Sequence, residues 1–132
     1  MEKARQIELF CGLGDGHAES QRQLMQALLR GLLMDIFLDE QPVPRLLQIT
    51  ALVPPHCRKA WHLVSNTLLA NRLKTGSGGA QAGGAHQAWI RQLRQQWEQP
   101  TLLQRWHRLL DELTPGQGLK LVKQARRRGL VH

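Results

Sequence analysis

Tyrosine is missing from this sequence, and the residues that favour strands (Val, Ile, Thr, Phe and Trp) number only 20 among 132. A sheet would lack the side chains that fit a pleated surface. Cysteine occurs twice, at Cys11 and Cys57. Such a count excludes a disulfide-stapled scaffold and suits two free thiols in a reducing compartment. Long apolar runs are also wanting: the richest stretch, Leu24 to Leu38, is interrupted by Arg30, Gly31 and Asp35. It falls far short of the roughly 20 apolar residues of a membrane span. The first ten residues alternate charged and apolar types, unlike a secretory leader, so a cytoplasmic location is expected. Acidic residues are few, 10 against 18 Lys and Arg, which leaves a net charge of +8.

Leucine, by contrast, appears 24 times and glutamine 15. Both are good helix formers, and the expectation is an all-α chain, a small multi-helix bundle without a sheet. Helix punctuation subdivides it. A short amphipathic segment from Glu2 to Cys11 should end in the turn Gly12-Leu13-Gly14-Asp15-Gly16. A helix from about Ala18 to Leu38 follows, with Leu24, Leu28, Leu32 and Ile36 joined by Met25, Leu29, Leu33 and Phe37 in an unusually wide apolar face. Pro42 and Pro44 stop it, a brief segment runs from Arg45 to Leu52, and a helix beginning at Pro55 aligns Cys57, Trp61, Val64 and Leu68 on one side. The glycine-rich stretch 75–85 is expected to be a flexible linker between a packing or oligomerisation unit, 1–74, and a basic helical unit, 86–132. In the latter, Trp89, Ile90, Leu93 and Trp97 stripe one helix, and Leu102, Leu103, Trp106, Leu109, Leu110 and Leu113 the next. Thr114-Pro115-Gly116-Gln117 is a capping box that opens a last helix, stopped at Gly129.

The cationic excess lies mainly after the glycine-rich stretch: +2 for Met1 to Lys74, +6 for Thr75 to His132. Arginine supplies 13 of the 18 basic residues, and its planar fork suits phosphate oxygens. A polyanionic partner is therefore expected, nucleic acid first, with a solvated helix end, an acidic membrane or an acidic protein as the other readings of Lys120, Lys123, Arg126, Arg127 and Arg128. Arg91, Arg94, Arg105 and Arg108 interleave with Trp89, Trp97 and Trp106, a mixture that stacks on bases in some proteins. Since these tryptophans fall on apolar stripes, packing is the stronger reading for them, and the arginines remain candidates for phosphate contact.

The run from Leu113 to Val131 also resembles the turn and recognition helix of MarR-type winged-helix regulators, through Leu113, Pro115, Leu121, Val122, Arg128 and the closing Gly129-Leu130-Val131. The resemblance implies a helix-turn-helix whose last helix enters the DNA major groove, with Gln117, Lys120, Lys123, Gln124 and Arg127 facing the DNA. Gly116 and Gly118 depart from a regular helix start.

Other chemistry finds little footing. Cys11 with His17, and His56 and Cys57 with His62, lack the paired spacing of a zinc site. The loop Gly12 to Gly16 follows a helix, carries no P-loop lysine and sets Asp15 where an anion would sit. No nucleophile can be placed beside a base and an acid. The expectation is a non-enzymatic protein without cofactor or metal that binds DNA or RNA by its phosphate backbone. About six neutralised phosphates would give a log–log salt slope near −5. The competing expectation is an interaction subunit or adaptor, either a homodimer or part of a larger complex, docking through Leu28, Leu32 and Ile36.

Overall fold

The computed structural model describes the backbone of residues 2–77 and 82–131 and the side chains of residues 19–72 and 87–131. Among these described residues six α-helices follow one another: α1 (Glu2–Leu38), α2 (Pro42–Thr50), α3 (Arg58–Ser77), α4 (Ala82–Gln96), α5 (Pro100–Glu112) and α6 (Pro115–Arg127). A 3-10 turn at Pro55–Cys57 leads into α3, and no strand occurs among the described residues. The all-α architecture matches the leucine- and glutamine-rich composition.

Proline marks the helix starts. Pro42, Pro100 and Pro115 each open a helix, where the missing N–H has no intrahelical partner to lose and the fixed φ is already helical. Glycine is a weaker signal. The expected turn at Gly12–Gly16 does not form, because α1 runs unbroken from Glu2 to Leu38. A glycine inside a helix costs about 1 kcal/mol relative to alanine but leaves its N–H in the ladder, so it weakens a helix without stopping it. In the same way α3 continues to Ser77 and α4 starts at Ala82, so the expected linker 75–85 is partly helical, and its residues 78–81 lie outside the described ones.

Packing joins both sides of the glycine-rich stretch. α1 lies against α6, while α3 lies against α4 and α5. Met25, Leu29, Leu33 and Phe37 of α1, Trp61, Val64 and Leu68 of α3, Trp89 and Leu93 of α4, Trp106 and Leu109 of α5, and Leu121 and Val122 of α6 belong to one hydrophobic core. The two expected units, 1–74 and 86–132, thus share their apolar interior. Removing each such side chain from water contributes about 1.5–3 kcal/mol.

All four tryptophans are buried, so their role is packing and none offers a stacking platform. Their polar edges are mostly satisfied. Trp61 Nε1 donates to Thr50 Oγ1 at 2.8 Å, Trp89 Nε1 to the Phe37 carbonyl at 2.6 Å, and Trp97 Nε1 to Met34 Sδ at 2.9 Å. Trp97 meets Trp106 edge to face, with ring centroids 5.1 Å apart. Such pairs add about 0.5–1.5 kcal/mol beyond their buried area.

Candidate nucleic-acid interface

α6 is fixed at both ends by local chemistry. At its start Thr114 Oγ1 accepts from the Gln117 backbone N–H and Gln117 Oε1 accepts from the Thr114 N–H, each at 3.2 Å, completing the capping box. At its end Gly129 takes φ +67°, a conformation that glycine adopts without a Cβ clash. There the Leu130 N–H reaches the Ala125 carbonyl at 2.9 Å and the Gly129 N–H the Arg126 carbonyl at 3.0 Å, the two bonds of a Schellman motif. A chain stop and a capped start hold the helix in a single register.

Its inner face is Gly118, Leu121, Val122 and Ala125, all buried. Gly118 is needed for close approach: a Cβ there would lie 2.2 Å from Met25 Sδ on α1. The helix period then sends Lys120, Lys123 and Arg127, three and four residues apart, to the opposite side. All three are exposed, as are Arg126 and Arg128 on the flanks. α6 contains no acidic residue, and none of these five cations forms an ion pair among the described residues.

Several cations outside α6 are engaged in contacts within the chain. Arg22 pairs with Asp111 at 2.8 Å, and Arg45 bridges Asp35 at 3.2 Å and Asp39 at 3.0 Å. The Arg30 guanidinium lies 4.9 Å from the centre of the Trp97 ring and that of Arg72 5.5 Å from Trp89. Burial lowers the Arg72 pKa, partly offset by Asp39 and Glu40. The Arg22–Asp111 and Arg30–Trp97 contacts join residues 89 and 67 positions apart, so no local pattern in the sequence marked them as structural.

The expected phosphate-binding residues are spread over α4, α5 and α6. Lys120, Lys123, Arg126, Arg127 and Arg128 share α6 and its end. Arg91 and Arg94 are exposed, but on α4, a helix packed mainly against α3, whereas α6 rests on α1. Arg105 and Arg108 both make contacts within the chain, although Arg108 is exposed. Arg105 is half-buried and donates to Thr67 Oγ1 on α3, and Arg108 Nε donates to Glu112 Oε1 at 3.4 Å. The Gln117 side chain is taken up by the capping box, and Gln124 is half-buried beside the cationic stripe.

The expected partner face is also corrected. Ile36 is fully buried and Leu32 is 3% exposed, both within the chain's own core. Leu28 is partly buried and lines an open groove of about 250 Å³ with Gly31, Asp35, Val122, Arg126 and Val131. Most of the α1 apolar face is covered by helices of the same chain, while Leu24, at 51%, stays exposed.

Among the described residues, no three His, Cys, Asp or Glu side chains converge to hold a metal ion, and no helix is long and apolar enough to cross a membrane. Cys57 is a buried thiol whose Sγ–H donates to the Glu112 carbonyl at 3.4 Å. Burial, and secondarily the Glu112 carboxylate, raise its pKa. Side-chain burial leaves that sulfur unsuited to nucleophilic or metal chemistry. No protein-family model, curated protein or solved structure matches the chain.

Proposed function

We propose that this protein binds nucleic acid through the phosphate backbone, with the outer face and C-terminal end of α6 as the contact surface. The observation that carries the reading is that Lys120, Lys123, Arg126, Arg127 and Arg128 are exposed and form no ion pair among the described residues, whereas Arg22 and Arg45 do. Exposed cations without carboxylate partners keep their full attraction for a polyanion. Lys120, Lys123 and Arg127 hold one side of a helix whose ends are both capped, so their spacing is set before any ligand arrives. Such preorganisation reduces the ordering cost of binding.

Binding by this route releases condensed counterions. Five engaged phosphates give a log–log slope of affinity against salt of about −4.5. Fluorescence anisotropy of a labelled duplex titrated with the protein at several salt concentrations measures it. A slope near zero, or unchanged binding after Lys120→Gln, Lys123→Gln and Arg127→Gln are combined, refutes the proposal. Those three side chains are exposed, and circular dichroism establishes that the triple variant is folded.

A further inference from the structure

We infer that the ligand of this surface is a double helix held by its phosphates alone, without discrimination of base sequence; the inference rests on the nucleic-acid reading above. A helix that reads bases in the major groove does so with side chains from its N-terminal half. In α6 that half is Pro115, Gly116, Gln117, Gly118, Leu119 and Lys120. Gly118 is buried against Met25, and the Gln117 amide is closed onto Thr114. Gly116 offers no side chain, Leu119 is half-buried against the core, and only Lys120 remains as a free polar group. The chain just before the cap carries Asp111 and Glu112, which pair with Arg22 and Arg108, so this end adds no cation free of a carboxylate.

The charge sits instead from Lys120 onwards. From Lys120 to Arg127 the helix rises about 10.5 Å, the length of about three base-pair steps measured along a duplex axis at about 3.4 Å each. A point-charge stripe of this length follows a regular backbone of any sequence.

Single strands are held differently, by aromatic side chains on which bases stack. Here Trp61, Trp89, Trp97, Trp106 and Phe37 are all buried, and the sequence has no tyrosine. Among the described residues no Trp or Phe ring is exposed for a base to stack on, and the exposed imidazoles of His56, His62 and His107 lie in the turn before α3, on α3 and on α5 rather than on α6. The geometry thus favours the stiff, closely spaced charges of a duplex over a flexible strand.

The test is a competition with the full chain. Two unrelated duplexes of about 24 base pairs, one A·T-rich and one G·C-rich, and a single-stranded oligo-dT of equal length are titrated at the same two salt concentrations. Expected are duplex affinities within about threefold of each other, weaker binding to oligo-dT, and a loss of about 0.9 in the salt slope of both duplexes for Lys123→Gln. A tenfold preference between the duplexes that Gln124→Ala abolishes establishes base reading and overturns the inference, as does tighter binding to oligo-dT. Either of those outcomes leaves the nucleic-acid reading standing. Absence of binding to all three ligands removes that reading and this inference together.

Discussion

Two glycines in the first turn of α6 make opposite predictions for the same substitution. Gly116 faces open space, with nothing within 4 Å of an added Cβ. Gly116→Ala restricts the unfolded chain and raises helix propensity, so it should stabilise the protein by about 0.5–1 kcal/mol. Gly118→Ala receives the same intrinsic gain. Its Cβ, however, would fall 2.2 Å from Sδ and 2.3 Å from Cγ of Met25. Met25 is fully buried, so its side chain has to find another rotamer inside a filled core or α6 has to lift from α1. Overpacking of this kind costs about 1–3 kcal/mol. Subtracting the propensity gain leaves a net destabilisation of about 1 kcal/mol, with the range reaching about 2. Urea unfolding followed by tryptophan fluorescence resolves this. With a slope of about 2 kcal/mol per molar, the midpoints of the two variants should move in opposite directions by several tenths molar. Met25→Ala in the Gly118→Ala background should show positive coupling, because the truncated side chain makes room for the new methyl group. If Gly118→Ala stabilises the protein as much as Gly116→Ala does, α6 does not approach α1 in the way described, and the cationic stripe loses its assigned orientation.

Three further outcomes test separate parts of the structure. Thr114→Ala removes the cap of α6 and should lower stability by about 1 kcal/mol in the same urea assay, with helicity at the α6 end reduced. Leu32→Ala should destabilise the fold by about 2–5 kcal/mol without changing the oligomeric state seen by light scattering, since that side chain belongs to the chain's own core. A shift in association state at unchanged stability contradicts the burial assigned to it. Cys57 gives a pH signature. Its thiol pKa is raised above the ordinary value of 9.0, so the folded chain keeps the proton where the unfolded chain releases it. Its contribution is complete below that value and declines as pH rises towards the folded pKa. Relative to Cys57→Ala, the natural chain should therefore lose urea resistance on going from about pH 8 to about pH 10, and parallel curves refute the shift.

Much of the fold is legible because its strongest signals are covalent or periodic. Proline cannot sit in a helix interior without losing a bond, and Pro42, Pro100 and Pro115 are found at helix starts. The stripe Cys57, Trp61, Val64 and Leu68 is buried as its spacing requires, and Thr114 and Gln117 form the reciprocal bonds that their separation allows. Glycine misleads for a thermodynamic reason. At Gly12–Gly16 and in 75–85 the local preference is only about 1 kcal/mol per residue, a quantity that helix continuity and packing can exceed. A local reading assigns a turn wherever glycines cluster, and tertiary structure decides whether one forms.

The candidate site divides along the same line. α6 could be read as an exposed basic helix because its cap, apolar stripe and stop all lie within one short stretch of sequence. The fates of Arg105 and Ile36 could not. Arg105 finds Thr67, 38 positions away, and Ile36 is covered by helices of its own chain, contacts that depend on which helix faces which. Net charge counts every guanidinium alike, but only those left without a partner contribute to an external field at full strength. Arg22 and Arg45 are held against carboxylates of the same chain and Arg30 lies over the Trp97 ring, whereas the five cations of α6 and its end stay exposed without a carboxylate partner among the described residues. Neutralising Lys120, Lys123 and Arg127 should therefore weaken polyanion binding far more than neutralising Arg22, Arg30 and Arg45, although the formal charge removed is the same. Equal losses from the two triple variants, at equal helicity, refute the argument that partner state, rather than total charge, sets the site.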